Sequence, residues 1–289
     1  MSDVTDPIPP EARAANLELW NAWTRIHEHA PGYHTEAFKA GATALKPVEL
    51  EELGPYVREG TTLLHLQCHF GLDTLSWARR GARVVGLDLS DEAVALARRL
   101  AGETGLADRA EFICSDLYAA DRRLEGREFD VVFVNWGAIE WLPDLDGWAR
   151  IVARHLRPGG VFYLAEVHPF AYLLSEDAPE GELRVEDRYF PTPDEPDVQP
   201  VTGSYADPNA DTEGLIAYGW AHSFAEILGS MVGAGLVLER FREHPYSPAP
   251  LWSWMREDAG HLFWLPDAKN GQRHDQPFSY TLLATRPDH

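Results

Sequence analysis

Between Thr61 and Val167 the chain alternates short apolar runs with amphipathic helical stretches, and this rhythm restricts its fold more than any other feature. Thr62–Leu66 reads as a strand and Leu72–Arg80 as a helix closed by Gly81, because the residue just past a helix end favours the left-handed conformation that glycine adopts freely. Arg83–Asp88 is a second strand, and Ser90 is placed to cap the helix Asp91–Ala101. Glu111–Cys114 is a short third strand, and Phe129–Asn135 (FDVVFVN) is an apolar run of the kind buried on both faces of a parallel sheet. Leu145, Trp148, Ile151, Val152 and Leu156 make one apolar helix stripe; Pro158-Gly159-Gly160 ends that helix, and Val161–Val167 is the fifth strand. Strands alternating with helices at this spacing predict a doubly wound, Rossmann-like α/β fold.

Before this block the pattern is helical from Glu11 to about Ala30 and again around Val48 to Val57, which predicts an N-terminal helical cap over residues 1–60 behind a loose leader at 1–10. Residues 61–168 form the core. After Phe170 the text from about Ser175 to Thr212 is rich in Asp, Glu and Pro and has no clear period, so 169–221 is expected as an irregular insertion or lid. A helix near Ser223 to Ala234 and strands near Leu236–Phe241 and Phe278–Ala284 let residues 222–289 complete a mostly parallel seven-stranded sheet with helices on both faces. The aromatic region Trp252–Trp264 between them reads as irregular.

Acidic residues number 46 against 25 basic ones, a formal charge of -21, and lysine occurs only at Lys39, Lys46 and Lys269. Such a surface repels phosphate backbones and anionic headgroups, so neither nucleic acid nor membrane is an expected partner. No apolar run reaches the ~18 residues of a membrane span, and the acidic N-terminus is not a signal peptide. Cys68 and Cys114, at strand ends, do not suggest a disulfide framework, which fits a cytoplasmic protein.

The turn from first strand to first helix reads Leu64-His65-Leu66-Gln67-Cys68-His69-Phe70-Gly71. Doubly wound sheets bind ligands at this edge, and Gly71 lets the backbone approach one closely. Asp88 ends the second strand, where an acid can accept hydrogen bonds from both hydroxyls of a ribose. Asp116 follows the third strand, where a carboxylate can meet an adenine amino group. His65, Cys68 and His69 are metal-ligand types, yet strand alternation separates neighbouring side chains and no fourth ligand is evident; no metal is expected. Trp136, Trp141, Trp252, Trp254 and Trp264 read as core aromatics, with room for one or two against a cation or ring.

The stretch LHLQCHFGLDTLSWARRGARVVGLDLSDEAVALAR, followed by FDVVFVNWGAIEWLPDL and HLRPGGVFYLAEVHP, resembles the class I S-adenosylmethionine (SAM)-dependent methyltransferases over roughly Thr61 to Val167. The chain departs from the family's acid-x-Gly-Cys-Gly-x-Gly loop at His65, Gln67 and His69, and keeps Gly71. The resemblance implies SAM as cofactor, S-adenosylhomocysteine as its product, and a small-molecule methyl acceptor. It implies that the backbone around Gln67 and Gly71 holds the methionine part, Asp88 the ribose, Leu89, Asp116 and Leu117 the adenine, and the backbone of Asn135 the methionine amino group. Trp136 and Trp141 would border the methyl donor, and Tyr33 would reach in from the cap.

Methyl transfer is an in-line displacement, so the protein mostly positions the acceptor. A general base is needed only for a protonated amine or a weakly acidic hydroxyl. His168 ends the fifth strand at the functional edge and Glu166 shares its face; one of them as base competes with a structural role for both. Two rivals remain: an NAD(P)-dependent oxidoreductase, which needs glycines where Gln67 and His69 stand, and a SAM-binding regulator without catalysis.

Overall fold

The computed structural model describes residues 7–175, 178–190, 195–267 and 271–288. The first six leader residues, two short stretches of the acidic insertion (176–177 and 191–194) and Lys269 lie outside the described residues.

Three helices, α1 (Pro10–His27), α2 (Thr35–Lys39) and α3 (Pro47–Glu52), precede the sheet. The alternating block follows as β1 (Thr62–Leu66), α4 (Leu72–Arg79), β2 (Arg83–Asp88), α5 (Asp91–Glu103), β3 (Ala110–Cys114), α6 (Ala120–Leu124), β4 (Phe129–Asn135), α7 (Leu145–His155) and β5 (Leu156–Val167). Beyond it come the hairpin strands β6 (Asp197–Pro200) and β7 (Ile216–Gly219), then α8 (Phe224–Gly233), β8 (Val237–His244), the two-residue pair β9 (Arg256–Glu257) and β10 (Phe263–Trp264), and β11 (Ser279–Thr285). The main sheet has seven strands in the order β3-β2-β1-β4-β5-β11-β8, and β11 runs antiparallel to both neighbours. From β1 the chain winds outward to β2 and β3, then returns to β4 on the other side. The loops after β1 and β4 therefore part company at the carboxyl edge, which opens a crevice there.

Period-two alternation fills both faces of the sheet. On β4, Val132 and Val134 pack with Trp148 and Phe162 in one cluster, while Val131 and Phe133 pack with Trp77 and Tyr163 in the other. Trp77, Trp148, Phe133 and Phe162 have no exposed surface, and each fully buried ring of this kind stabilises the fold by about 1.5–3 kcal/mol. Ser90 caps α5 as expected, accepting from the Ala93 amide at 3.0 Å.

Two local expectations are corrected. The fifth strand begins at Leu156, not Val161, because Pro158-Gly159-Gly160 continues the sheet: Gly159 N–H donates to Arg286 at 2.8 Å and Arg286 N–H to Gly160 at 3.1 Å. The acidic insertion is not wholly irregular, since β6 and β7 pair as an antiparallel hairpin. Its sequence hid this because β6 is exposed along its length and carries Pro200, while β7 is only half-buried. Docking on α1 compensates. Asn16 and Tyr218 exchange two hydrogen bonds of 2.9 Å, and the Trp23 indole donates to the Gly203 carbonyl at 3.1 Å. Among the described residues no helix is long and apolar enough to cross a membrane.

Candidate functional site

The loop from β1 into α4 takes positive φ at alternate residues: Gln67 at 57°, His69 at 48° and Gly71 at 78°. Only Gly71 is the residue that conformation favours. A Cβ there would lie 2.6 Å from the Phe112 ring. Gln67 and His69 hold glycine-like backbone at a cost of about 1–2 kcal/mol each, strain that the surrounding contacts must hold. The Gln67 amide nitrogen donates to the Ala138 carbonyl at 2.6 Å, which leaves its Oε1 buried without a partner.

Asp88 closes β2 facing this loop. Its Oδ2 accepts from the His69 amide at 2.7 Å and its Oδ1 from the Ser90 amide at 2.9 Å. Burial pushes its carboxyl up to about 6, against the lowering effect of those amides. The Leu89 amide is a third donor, and since a carboxylate has about four acceptor sites, about one direction stays open for a further donor. Leu89 follows, with its carbonyl accepting from the Cys114 thiol at 3.5 Å. Asp116 Oδ1 accepts from the Tyr118 amide at 2.8 Å, and Oδ2 pairs with Arg13 of α1 at 2.9 Å. The side chain of Leu117 is buried in the core beside Ile113.

At the end of β4, Asn135 Nδ2 donates to Glu49 Oε1 at 2.7 Å and to Asp73 Oδ2 at 2.9 Å. Burial and the neighbouring Asp73 push the Glu49 carboxyl up to about 8. Trp136 is left-handed at φ 53°, packs on the β4 face that holds Phe133, and has a buried indole N–H without a partner. Next, the amides of Gly137, Ala138 and Ile139 converge on Glu166 at 2.6, 2.5 and 3.1 Å, and Val167 adds a fourth at 2.8 Å. Burial raises this carboxyl and the four amides oppose the rise. Glu166 thus fixes the turn after β4. His168 is also engaged at both nitrogens: Nδ1 accepts from the Phe170 amide at 2.9 Å, which makes Nε2 the donor to Glu243 Oε1 at 2.8 Å.

The sequence reading passed over Glu140, which sits on the one-turn helix Ile139–Trp141 just past this turn. Burial, then the charge of Glu166, push its carboxyl up to about 8, and the Tyr172 hydroxyl bonds to it. It also passed over His27 and Tyr205. His27 stacks on Tyr33, ring centroids 4.9 Å apart, and the Tyr33 and Tyr205 hydroxyls are hydrogen bonded. Trp141 meets Trp20 and Trp23 of α1 at 5.3 and 6.1 Å. Nothing local in the chain marks these contacts, which join α1, the loops and the insertion across long separations. His65 turns away to Thr74 at 2.7 Å, and among the described residues no three metal-ligating side chains converge.

This edge therefore combines an acid at the end of β2, a strained loop beside it, and buried carboxyls near the end of β4 under an aromatic cover. A model of the methyltransferase-domain family matches residues 64–164. The ubiquinone biosynthesis O-methyltransferase of Psychrobacter cryohalolentis is 30% identical over 205 residues, covering 65% of this chain and 77% of that protein. The protein of the same name from Sinorhizobium medicae is 32% identical over 110 residues, 38% of this chain and 42% of its own length. With several such relatives the match spans less than half of the relative's length. In fold the chain is similar to a SAM-dependent methyltransferase from Mesorhizobium loti, with a TM-score of 0.55, 18% identity, and 86% and 100% of the two chains covered. It is also similar to one from Clostridium acetobutylicum, with a TM-score of 0.52, 15% identity, and 82% and 89% covered.

Proposed function

The chain belongs to the class I SAM-dependent methyltransferase family, and on that footing we propose that it methylates a hydroxyl group of a small molecule. The observation that carries the reading is Asp88 at the end of β2, its remaining acceptor position beside a loop that keeps left-handed backbone at Gln67, His69 and Gly71. The residues present suit the cofactor. Asp88 would take a ribose hydroxyl at the acceptor position that the three backbone amides leave. Gln67 Oε1, buried and unpartnered, would accept from the methionine end, beside Gly71, Asn135 and Tyr33. Leu89 and Asp116 would address the adenine, after Asp116 exchanges Arg13 for the base. Leu117 would act through its backbone, and Trp136 would border the far end. When bound, SAM supplies an activated methyl group and a neutral leaving group.

The curated relatives are named as O-methyltransferases, which favours an oxygen acceptor. His168 and Glu166 are poor candidates for the base because their acceptor atoms are committed to backbone amides. Glu140 suits that role better: it stands past β4, and a carboxyl that titrates near the working pH is suited to proton transfer. The proton of the acceptor hydroxyl would pass to the Glu140 carboxylate as the oxygen is methylated. The net charge of -21 disfavours nucleic acid as partner, and we place the protein in the cytoplasm.

Titration calorimetry with S-adenosylhomocysteine and with NADH, followed by methyl transfer to a panel of phenols, catechols and amines, tests the reading. Tight binding of the first ligand with turnover on a hydroxyl supports it. NADH binding alone would favour an oxidoreductase. S-adenosylhomocysteine binding without turnover on any acceptor would favour a regulator.

A further inference from the structure

Tyr280 of β11 stands between two glutamates: Glu166 of β5 is its register partner on one side and Glu243 of β8 on the other. Residues directly opposite in antiparallel strands share a face, so all three side chains leave the same face of the sheet at its carboxyl edge. The Tyr280 ring is fully buried, and Phe224 and Phe241 hold it at centroid separations of 4.9 and 5.7 Å. Its hydroxyl has no hydrogen-bond partner. That hydroxyl is close enough to Glu166 to feel its charge and to act on the Tyr172 phenol, which in turn bonds to Glu140.

Glu166 does not satisfy that hydroxyl, because four backbone amides already fill the roughly four acceptor sites of its carboxylate. Among the described residues, the charges that raise Glu140, Tyr172 and Tyr280 are those of Glu140 and Glu166 themselves, with no lysine or arginine set against them. His168, its ring centroid 6.4 Å from that of Tyr280, is held below the ordinary histidine range by burial and spends its N–H on Glu243. The group has a closed floor and an open mouth: Glu166 and Tyr280 are buried, Glu140 is half-buried, and Tyr172 keeps 42% of its surface exposed. A buried phenol oxygen that accepts from nothing, beside carboxyls without a counter-ion, is complementary to a group that brings donors and a positive charge.

We propose that this group is the far end of the acceptor site and takes an ammonium, so that the small molecule methylated on its hydroxyl also bears an amine. The ammonium donates to the Tyr280 oxygen beside Glu166, while the hydroxyl of the same molecule faces Glu140. Its charge favours the ionised form of Glu140, which is the form that takes a proton. A carboxylate or phosphate in the same place would meet Glu166 and Glu243 and find one phenol as donor. In the sheet β5 and β11 lie beyond β4, so the group leaves the crevice between the β1 and β4 loops to the cofactor. The proposal rests on the hydroxyl-methylation reading.

The test is titration calorimetry on the full chain saturated with S-adenosylhomocysteine, using tyramine, 4-propylphenol and 3-(4-hydroxyphenyl)propionate. These are phenols whose tails carry an ammonium, no charge and a carboxylate. Tyramine is expected to bind about 10- to 100-fold more tightly than 4-propylphenol, the gain typical of one or two hydrogen bonds from a charged group, and the propionate more weakly than either. Tyr280→Phe removes only an unpartnered hydroxyl, so the variant should melt no earlier than the parent and keep its affinity for S-adenosylhomocysteine. In it tyramine should come to within about 3-fold of 4-propylphenol. A propionate that binds as tightly as tyramine, a tyramine preference that survives in Tyr280→Phe, or a cofactor complex that takes none of the three would overturn the proposal. A chain that binds the three phenols alike keeps the hydroxyl reading and loses this one, whereas a chain that does not bind S-adenosylhomocysteine loses both.

Discussion

His168, just past the end of β5, and Glu243 of β8 are locked together across the intervening strand β11, Nε2 donating to Oε1 at 2.8 Å while Nδ1 accepts from the Phe170 amide. A ring committed at both nitrogens orients the segment after β5 and has no lone pair for an acceptor's proton. His168→Ala should therefore lower turnover by less than about 10-fold, whereas loss of a true base costs roughly 10²–10⁴-fold. The variant should also keep the parent's pH–rate profile and melt earlier. A shifted profile with a large loss of turnover would restore His168 as the base.

Glu140→Gln should do what His168→Ala does not. Turnover is expected to fall roughly 10²–10⁴-fold, with S-adenosylhomocysteine affinity unchanged by calorimetry. The parent's rate should rise with pH up to about 8, because only the ionised carboxylate takes a proton. The variant should lose that limb of the profile. Full turnover in Glu140→Gln would remove the base from this position.

Asp88→Ala should weaken S-adenosylhomocysteine by roughly 10- to 100-fold, each hydrogen bond to a charged group contributing about 1.5–3 kcal/mol. The same change frees the His69 and Ser90 amides, so a lower melting temperature should accompany it. Asp88→Asn, which keeps an acceptor oxygen but loses the charge, should fall between the two in calorimetry.

Above the histidine range, from about pH 7.5, stability should decline as pH rises. Glu49 and Glu140 start from an ordinary value of 4.5 and are raised to about 8, so between those values the native chain binds more protons than the unfolded one. Their contribution is complete below about 4.5 and is lost as pH climbs through about 8, with a slope of at most about 1.4 kcal/mol per pH unit for each extra proton held. Melting temperatures between about pH 7.5 and 9 should fall less steeply in Glu49→Gln than in the parent. Parallel slopes would show that Glu49 titrates alike in both states.

What the sequence made legible was local. The strands of the alternating block and the cap at Ser90 follow from patterns within ten or so residues, and Asp88 is found by counting to the end of a strand. Relations across the chain left no such mark. The His27–His69 pair joins residues 42 positions apart, and Asn135 meets Glu49 across 86. Glu140 reads as a surface turn acid until Glu166 and Tyr172 are folded around it. His168 and Glu166 stand at the carboxyl end of β5, but which atoms the backbone amides occupy depends on the folded turn and not on the letters.

The first helix touches the carboxyl edge at three depths: Arg13 on Asp116, Asn21 on Ser90 and Asp91, His27 on His69. A cofactor that lies from Asp116 to Gln67, as proposed, would meet all three fastenings, and its entry would require them to open. Exchange is then a gated process: the observed association rate should level off at high ligand concentration, at the frequency with which α1 undocks. Product departure obeys the same gate, so that frequency would set an upper bound on the enzyme's turnover, however fast the chemistry beneath.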